Sequence, residues 1–262
     1  MKEEIVEYET FDGSDVTSFL VGERDSRAVI MVIQEIWGLT NFIKKYSRKL
    51  AALGFLVLAP HLYSRKEERD VFTEENIATA MKLFFEIPQE KRNDPSVIGE
   101  IMQMADERQR EVIKKLMLGR GEMEERMLRD LAMGYQYIKD NFKPIKFGVV
   151  GFCMGGGLSF RISTQIPFDA TVVYYGANPP NLDDISRMRG PLNAIYAGED
   201  PRINSGIPEM VSAFIRHKKQ VELKLYPNTK HAFANEDGFA YDREAADDAW
   251  ERVSFFFRRH LL

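Results

Sequence analysis

The stretch FGVVGFCMGGG at residues 147–157 decides the predicted fold of this chain. Its first five residues are apolar or small and predict a buried β-strand, and glycines stand two residues before and two after Cys153. This spacing lets a chain turn sharply from a strand into a helix and hold the middle side chain above a sheet. The helix N-terminus favours a thiolate, and the backbone N–H of Met154 is aimed at a developing oxyanion. Cys153 is therefore the predicted nucleophile.

This stretch has two other interpretations. A lone cysteine beside glycines is often a buried structural residue, but its position between a strand and a helix favours a nucleophile. The glycines at 155–157 could cradle a phosphate, but no Lys-Ser or Lys-Thr pair follows them, as such loops require.

Apolar runs alternate with helical patterns on both sides of this turn. The predicted buried strands span residues 28–34, 55–59, 147–151, 171–175, 192–197 and 221–226. An N-terminal hairpin, about residues 5–10 and 16–21, turns at Asp12-Gly13. The first helix is capped by Thr40 or Asn41 and closed by Gly54. The pattern predicts an α/β fold with a mostly parallel, doubly wound sheet of about eight strands.

Residues 64–128 interrupt this alternation with a charged, Met-rich and helical insert. Pro88, Pro95 and Gly119-Arg120-Gly121 divide it into three or so predicted helices. An insertion after a strand often covers a site, so a cap is the functional interpretation. A dimerisation surface and inert decoration remain alternatives. With no internal repeat and no low-complexity linker, residues 1–262 are interpreted as one domain with this insert.

The overall composition excludes several classes of function. Of 262 residues 44% are apolar and 29% charged, and the net charge is −4, so no basic footprint for nucleic acid is present. The apolar runs are too short to span a bilayer, and no secretory signal is visible. A lone cysteine suits a reducing compartment. A cytoplasmic protein without a membrane or nucleic-acid partner is expected.

A thiol nucleophile needs a base and an orienting acid. His231 follows the last predicted strand, and Asp200 follows the strand before it. Glu199 is the alternative acid. The other histidines fit surface or structural positions better, namely His61, His217 and His260. The order nucleophile, acid, histidine is that of α/β-hydrolases, so the sequence predicts this fold and a Cys153–Asp200–His231 triad.

The residues at these positions resemble the dienelactone hydrolases, also called carboxymethylenebutenolidases, over nearly the whole chain except part of the insert. The resemblance rests on the segments at residues 34–38 (QEIWG), 59–63 (APHLY), 151–157 (GFCMGGG), 174–176 (YYG), 198–200 (GED) and 231–233 (HAF). In this family a glutamate at the position of Glu35 holds the resting thiol and takes its proton when substrate enters. A carboxylate in a tight apolar site has the raised proton affinity that this role needs.

The resemblance also implies contacts with the substrate. The N–H of Ile36 is the second oxyanion donor, beside that of Met154, and Trp37 in the same motif is predicted to contact substrate. Arg110 matches a carboxylate-binding arginine, although a solvated helix face is the alternative for this charged run. Asn235 stands where dienelactone-cleaving members carry a second such arginine, which implies weaker recognition of a substrate carboxylate.

The predicted activity is hydrolysis of a small lactone or activated ester, without metal or cofactor, by a monomer or homodimer. A cysteine-based redox or electrophile sensor is the first alternative. Such amidotransferase-like proteins usually place His directly after the cysteine, where this chain has Met154. A non-enzymatic regulatory protein is the second alternative, and it would not need all three groups of a triad.

Overall fold

The structure is a computed structural model that describes residues 2–87, 91 and 94–262. Its strands span Lys2–Glu9 (β1), Asp15–Gly22 (β2), Ala28–Ile33 (β3), Leu56–Pro60 (β4), Lys146–Phe152 (β5), Ala170–Tyr174 (β6), Leu192–Ala197 (β7) and Val221–Tyr226 (β8). They form one eight-stranded sheet in the order β1-β2-β4-β3-β5-β6-β7-β8. In sheet order, all pairs from β4 through β3, β5, β6 and β7 to β8 are parallel. The pairs β1–β2 and β2–β4 are antiparallel. The predicted mostly parallel sheet with an N-terminal hairpin at one edge is confirmed.

Helices cover both faces of the sheet. They span Asn41–Ala51 (α1), Glu74–Phe85 (α2), Pro95–Met104 (α3), Glu107–Ile113 (α4), Arg120–Phe142 (α5), Met154–Ser163 (α6), Pro201–Asn204 (α7), Ile207–Arg216 (α8) and Arg243–Leu261 (α9). Thr40 occupies the N-cap position of α1 as predicted, but its side chain makes no capping hydrogen bond. Among the described residues, no helix is long and apolar enough to cross a bilayer.

The central strands are buried on both faces, as a parallel sheet between helix layers requires. Along β3, Ile30 and Val32 pack in a core with residues of α1 and α9. Met31 and Ile33 point the other way and pack with residues of α5, α6 and the helices after β4. Parallel pairing places the carboxyl ends of β3, β5, β7 and β8 along one edge of the sheet, where the predicted site residues follow them.

The insert contains α2, α3, α4, a π-helical turn at Lys114–Leu118 and the start of α5. Pro95 is the first residue of α3, where a missing N–H costs nothing, and Gly119 directly precedes α5. Pro88, the other expected break, lies outside the described residues. The expected end near residue 128 coincides with no break, because α5 runs continuously through it. The division into one domain with a capping insert stays a prediction.

A network of charged groups joins the segment after β4 to α5. Asp130 is fully buried and accepts hydrogen bonds from both Arg65 and Arg126. Arg126 also donates to Glu68 at 2.7 Å and to the backbone oxygen of Leu62 at 2.9 Å. Removal of one member of a buried network of this kind typically costs about 3–5 kcal/mol, because its partner is left charged and unpaired. The network therefore anchors the start of the insert against the sheet.

Candidate active site

Cys153 lies at the turn between β5 and α6, with backbone angles φ 55° and ψ −115°. A side chain at Gly151 would meet the Gly155 oxygen at 1.9 Å, and one at Gly155 would meet the Gln34 oxygen at 2.3 Å. Both positions therefore require glycine. The Cys153 N–H donates to the Tyr174 oxygen at 3.1 Å, which holds this uncommon backbone conformation in place. The sharp turn predicted from the glycine spacing is present.

His231 and Asp200 meet at the ends of β8 and β7. The Nδ1–H of His231 donates to Oδ2 of Asp200 in a short hydrogen bond. Asp200 is buried, whereas the neighbouring Glu199 is exposed and uses its backbone N–H to bind the Thr229 oxygen at 2.8 Å. Of the two acids considered from the sequence, Asp200 is the one that contacts His231.

The Cys153 sulfur and Asp200 both interact with the imidazole of His231. Burial disfavours the charged imidazole, but the negative charge of the sulfur and the hydrogen bonds with Asp200 and Cys153 outweigh it. Together they raise the pKa of His231 to about 10. A histidine in this setting carries a proton at neutral pH as long as the sulfur is charged.

Glu35 follows β3 and is completely buried. The Nδ2–H of Asn235 donates to its Oε2 at 2.7 Å, and Oε1 has no hydrogen-bond partner among the described residues. Burial raises the pKa of Glu35 to about 7, although the Asn235 hydrogen bond and the charge of His231 lower it. The family resemblance implies that Glu35 holds the thiol of Cys153. In the part of the chain that the structure describes, Glu35 is bound by Asn235 instead, and no hydrogen bond joins it to Cys153.

The two backbone amides predicted to bind the oxyanion belong to Ile36 and Met154. Met154 is the first residue of α6, so its N–H has no partner within the helix. The backbone at Ile36 is held by Tyr63, whose hydroxyl donates to the Ile36 oxygen at 2.9 Å. The same hydroxyl lies 3.9 Å from Sδ of Met154. Tyr63 is fully buried and thus links the two predicted donor residues.

A cavity of about 700 Å³ is lined by neighbours of these groups in the chain, whereas Cys153, His231 and Glu35 themselves do not line it. It is lined by the segment between β3 and α1, including Trp37 and Phe42, and by the loop after His231, including Asn235 and Phe239. Glu74, in the first turn of α2, contributes from the insert. The predicted substrate residues Trp37 and Asn235 therefore share one cavity.

The family model for the dienelactone hydrolase family matches residues 16–261. The chain belongs to the dienelactone hydrolase family. It is 46% identical over 248 residues, 95% of each chain, to a protein of Saccharolobus solfataricus that is provisionally named carboxymethylenebutenolidase. Family membership confirms the predicted family and the prediction of a hydrolase of carboxylic ester or lactone bonds.

Solved structures confirm the predicted α/β-hydrolase fold. A protein of Klebsiella pneumoniae, provisionally named dienelactone hydrolase, superposes with a TM-score of 0.69 at 20% identity, covering 99% of this chain and 100% of its own. The dienelactone hydrolase of Anabaena variabilis superposes with a TM-score of 0.66 at 14% identity, covering 100% and 99%. At these identities the likeness shows the fold alone.

Arg110 is exposed on α4. The family resemblance predicts that it binds a carboxylate of the substrate. Its Nε–H donates to the backbone oxygen of Met102 in α3 at 2.8 Å. Arg110 does not line the cavity beside Asn235. The role of Arg110 in substrate binding stays a prediction. Its exposure fits the alternative, a solvated helix face.

Tyr175 is a site residue that the sequence did not single out. It follows β6 with a φ of 39°, and its ring centroid lies 5.0 Å from that of His231. Its hydroxyl is buried and has no hydrogen-bond partner within the described ranges. Burial and the charges of Glu35 and Cys153 raise its pKa far above the ordinary value, so the hydroxyl stays a donor. The Tyr-Tyr-Gly motif was its only sequence signal.

The remaining histidines occupy other surroundings. His217 faces Asp183 at 2.9 Å, and burial lowers the pKa of the partly buried His61 to about 4. His260 lies in α9, in edge-on contact with Phe256. Across residues 2–87, 91 and 94–262, no group of three or more His, Cys, Asp or Glu side chains is arranged to hold a metal ion.

Proposed function

We propose that the protein hydrolyses small lactones or activated esters through Cys153 as nucleophile, with His231 and Asp200 as base and orienting acid. The observation that carries this proposal is that His231 interacts with the Cys153 sulfur while its Nδ1–H is held by Asp200. This is the arrangement in which a thiolate forms and an imidazole can later act as a base.

In the first half of the reaction, the thiol proton passes to Glu35, whose pKa of about 7 suits a base at neutral pH. The unpaired Oε1 is the acceptor that we assign. The Cys153 sulfur attacks the carbonyl carbon, and the N–H groups of Ile36 and Met154 stabilise the oxyanion. Once the sulfur is charged, His231 takes up a proton from solvent. The carbon–oxygen bond to the alcohol then breaks, and His231 gives this proton to the leaving oxygen.

The second half of the reaction follows from the charges around His231. In the thioester the sulfur no longer carries the charge that raises the pKa of His231. Neutral His231, oriented by Asp200, takes a proton from water, and the hydroxide attacks the thioester. The carbon–sulfur bond breaks and the acid is released. Glu35 returns its proton to the sulfur, and His231 releases its proton to solvent. Acylation itself thus converts His231 from a proton donor into a base.

The location and the insert belong to the same proposal. Because a catalytic thiol must stay reduced, we assign the protein to the cytoplasm. We assign the insert as a cap rather than decoration, and the position of Glu74 in the wall of the cavity supports this.

Hydrolysis of p-nitrophenyl acetate and the lactone dihydrocoumarin by purified variants tests the proposal. Cys153→Ala and His231→Ala each lower kcat by roughly 10³-fold or more, and the double variant is little worse, because triad members act as a unit. Asp200→Asn lowers kcat by roughly 10²–10⁴-fold. The matched control Glu199→Gln removes an exposed neighbouring carboxylate and retains full activity.

Intact-mass spectrometry of His231→Ala incubated with p-nitrophenyl acetate supplies a second readout. We expect one acetyl group to remain on Cys153, because the base for thioester hydrolysis is missing. A Cys153→Ala variant that keeps most of its esterase activity would overturn the proposal. Rapid oxidation of Cys153 by peroxide without turnover of any ester would favour the sensor alternative.

A further inference from the structure

The cavity beside the candidate active site is lined by acidic side chains. Glu74 and Asp237 line it, and no Arg or Lys is among its lining residues in the described part of the chain. Asp237 pairs with Lys45 at 3.1 Å. The same Lys45 nitrogen pairs with Glu236 at 2.7 Å, and Lys49 also interacts with Glu236, but neither lysine lines the cavity. The rim of the cavity is therefore negative.

Asn235 does not offset this charge. Its amide nitrogen is committed to the buried carboxylate of Glu35 at 2.7 Å, and its Oδ1 accepts the N–H of Asp237 at 3.0 Å. Both ends of the side chain are thus used within the protein, and neither supplies a positive charge. The Asn235 side chain therefore binds the protein's own carboxylate.

Large apolar side chains complete the cavity. Trp37 and Phe42 form part of one wall, and Phe239 lies on the opposite loop with its whole side chain exposed. An exposed phenylalanine at the mouth of a cavity gains free energy when a ligand covers it, because apolar area is removed from water.

We infer that this cavity binds an uncharged, partly apolar group of the substrate and disfavours a substrate that carries a free carboxylate. The inference rests on the proposed ester hydrolysis and narrows its substrate class. A carboxylate entering the cavity would face Glu74 and Asp237 without a compensating cation from the lining residues, which is repulsive by Coulomb's law.

Two matched pairs of esters test the inference. The charged member carries its carboxylate on the acyl side in the first pair and on the leaving group in the second. p-Nitrophenyl butyrate is compared with mono-p-nitrophenyl succinate, and methyl 4-acetoxybenzoate with 4-acetoxybenzoate. In the pair whose charged group enters the cavity, we expect kcat/KM for the neutral ester to exceed that for the charged ester by about fivefold or more. This is the scale of the repulsion between two like charges in contact in water. High salt reduces the preference because the rim is exposed.

Glu74→Lys identifies the cause. It should raise kcat/KM for the charged ester, relative to that for the neutral ester of the same pair, by about fivefold or more. Glu75→Lys is the matched control, since it makes the same charge change one residue later on α2 without lining the cavity. A preference for the anionic ester, no preference in either pair, or equal effects of the two variants would overturn the inference.

Phe239→Ser tests the apolar part, with Phe255→Ser as the control for loss of an exposed phenylalanine elsewhere. We expect Phe239→Ser alone to raise KM for p-nitrophenyl butyrate several-fold at unchanged kcat. Unchanged KM would show that the cavity does not hold the substrate. Absence of hydrolysis of all four esters by the unmodified protein is a different result, because it would overturn the proposed function itself.

Discussion

Asn235 donates its side-chain amide to the buried carboxylate of Glu35 at 2.7 Å. The two residues come from loops 200 positions apart in sequence, and both are buried beside the Cys153 turn. The amide stabilises the charged form of a carboxylate whose pKa burial raises to about 7. Asn235 therefore holds Glu35 at a proton affinity suited to neutral pH.

Asn235→Leu removes this donor at nearly constant side-chain volume. The pKa of Glu35 should then rise further, by about one unit, the scale of one hydrogen bond to a charged group. The acid limb of the pH profile of kcat/KM for p-nitrophenyl acetate should move to higher pH by the same amount. The same substitution in a Glu35→Gln background should leave the profile in place. Equal profiles for Asn235→Leu and the unmodified protein would show that Glu35 does not control the rate.

Glu35→Gln should stabilise the protein at alkaline pH while it lowers activity. The pKa of Glu35 is about 7 in the folded protein, above the ordinary 4.5. The contribution of its protonated side chain to the free energy of unfolding is therefore complete below pH 4.5 and is lost as the pH rises through 7. Gln mimics the protonated form, and the gain above pH 7 should reach about 3 kcal/mol. Urea unfolding at pH 5 and pH 8 measures it, with exposed Glu199→Gln as control. An equal gain at both pH values would contradict the assignment.

Loss of the sulfur charge should lower the pKa of His231. In Cys153→Ala, or after Cys153 is alkylated with iodoacetamide, we expect a fall of about 1–3 units from the value near 10, because an adjacent opposite charge is gone. NMR titration of ¹³C-labelled histidine measures this shift. The His217 resonance, from a ring that contacts Asp183, serves as the internal reference. A His231 titration that is independent of Cys153 would remove the basis for its change of role during turnover.

Arg110→Ala should leave kcat/KM within about twofold for both p-nitrophenyl acetate and 4-acetoxybenzoate, because the removed group is exposed and bonded to Met102. Arg108→Ala, an exposed neighbour on α4, is the control. A loss of roughly 1.5–3 kcal/mol for the anionic ester alone would show that Arg110 binds a substrate carboxylate, as the family resemblance implies.

Local rules account for what was predicted correctly. The turn at Cys153 could be predicted because the close approaches at Gly151 and Gly155 exclude any larger side chain, and both glycines lie within two residues of the cysteine. Strands β7 and β8 match their predicted bounds, and β7 is buried as predicted. The prediction of a buried strand is wrong for β8, which lies at the edge of the sheet with Leu223 and Leu225 exposed. Helix ends were less well predicted. The first helix, predicted to be closed by Gly54, ends at Ala51, since the last turn has little to distinguish it from a following turn.

The insert shows where local rules fail. The break expected near residue 128 falls inside α5, where an apolar stripe of Met123, Met127, Leu131 and Ile138 continues at helical spacing. A helix that begins in an insertion and continues into the core has no sequence signal at the boundary. Thr40 likewise occupies the expected N-cap position but makes no capping bond, because a preference for a position does not fix the rotamer.

The sequence by itself determined the fold class, the strand order along the chain and the positions of Cys153, Asp200 and His231, because each follows a strand whose end the fold brings to one edge. Tertiary structure alone decided that Asp200 rather than Glu199 contacts His231, and that Asn235 binds Glu35. It also decided that Tyr175 packs on His231. These contacts join loops far apart in the chain, and their hydrogen bonds and burial depend on side-chain directions that residue type and spacing do not specify. The proposed reactive groups were thus chosen from local pattern, whereas the proton affinities of Glu35 and His231 depend on neighbours that only the folded chain supplies.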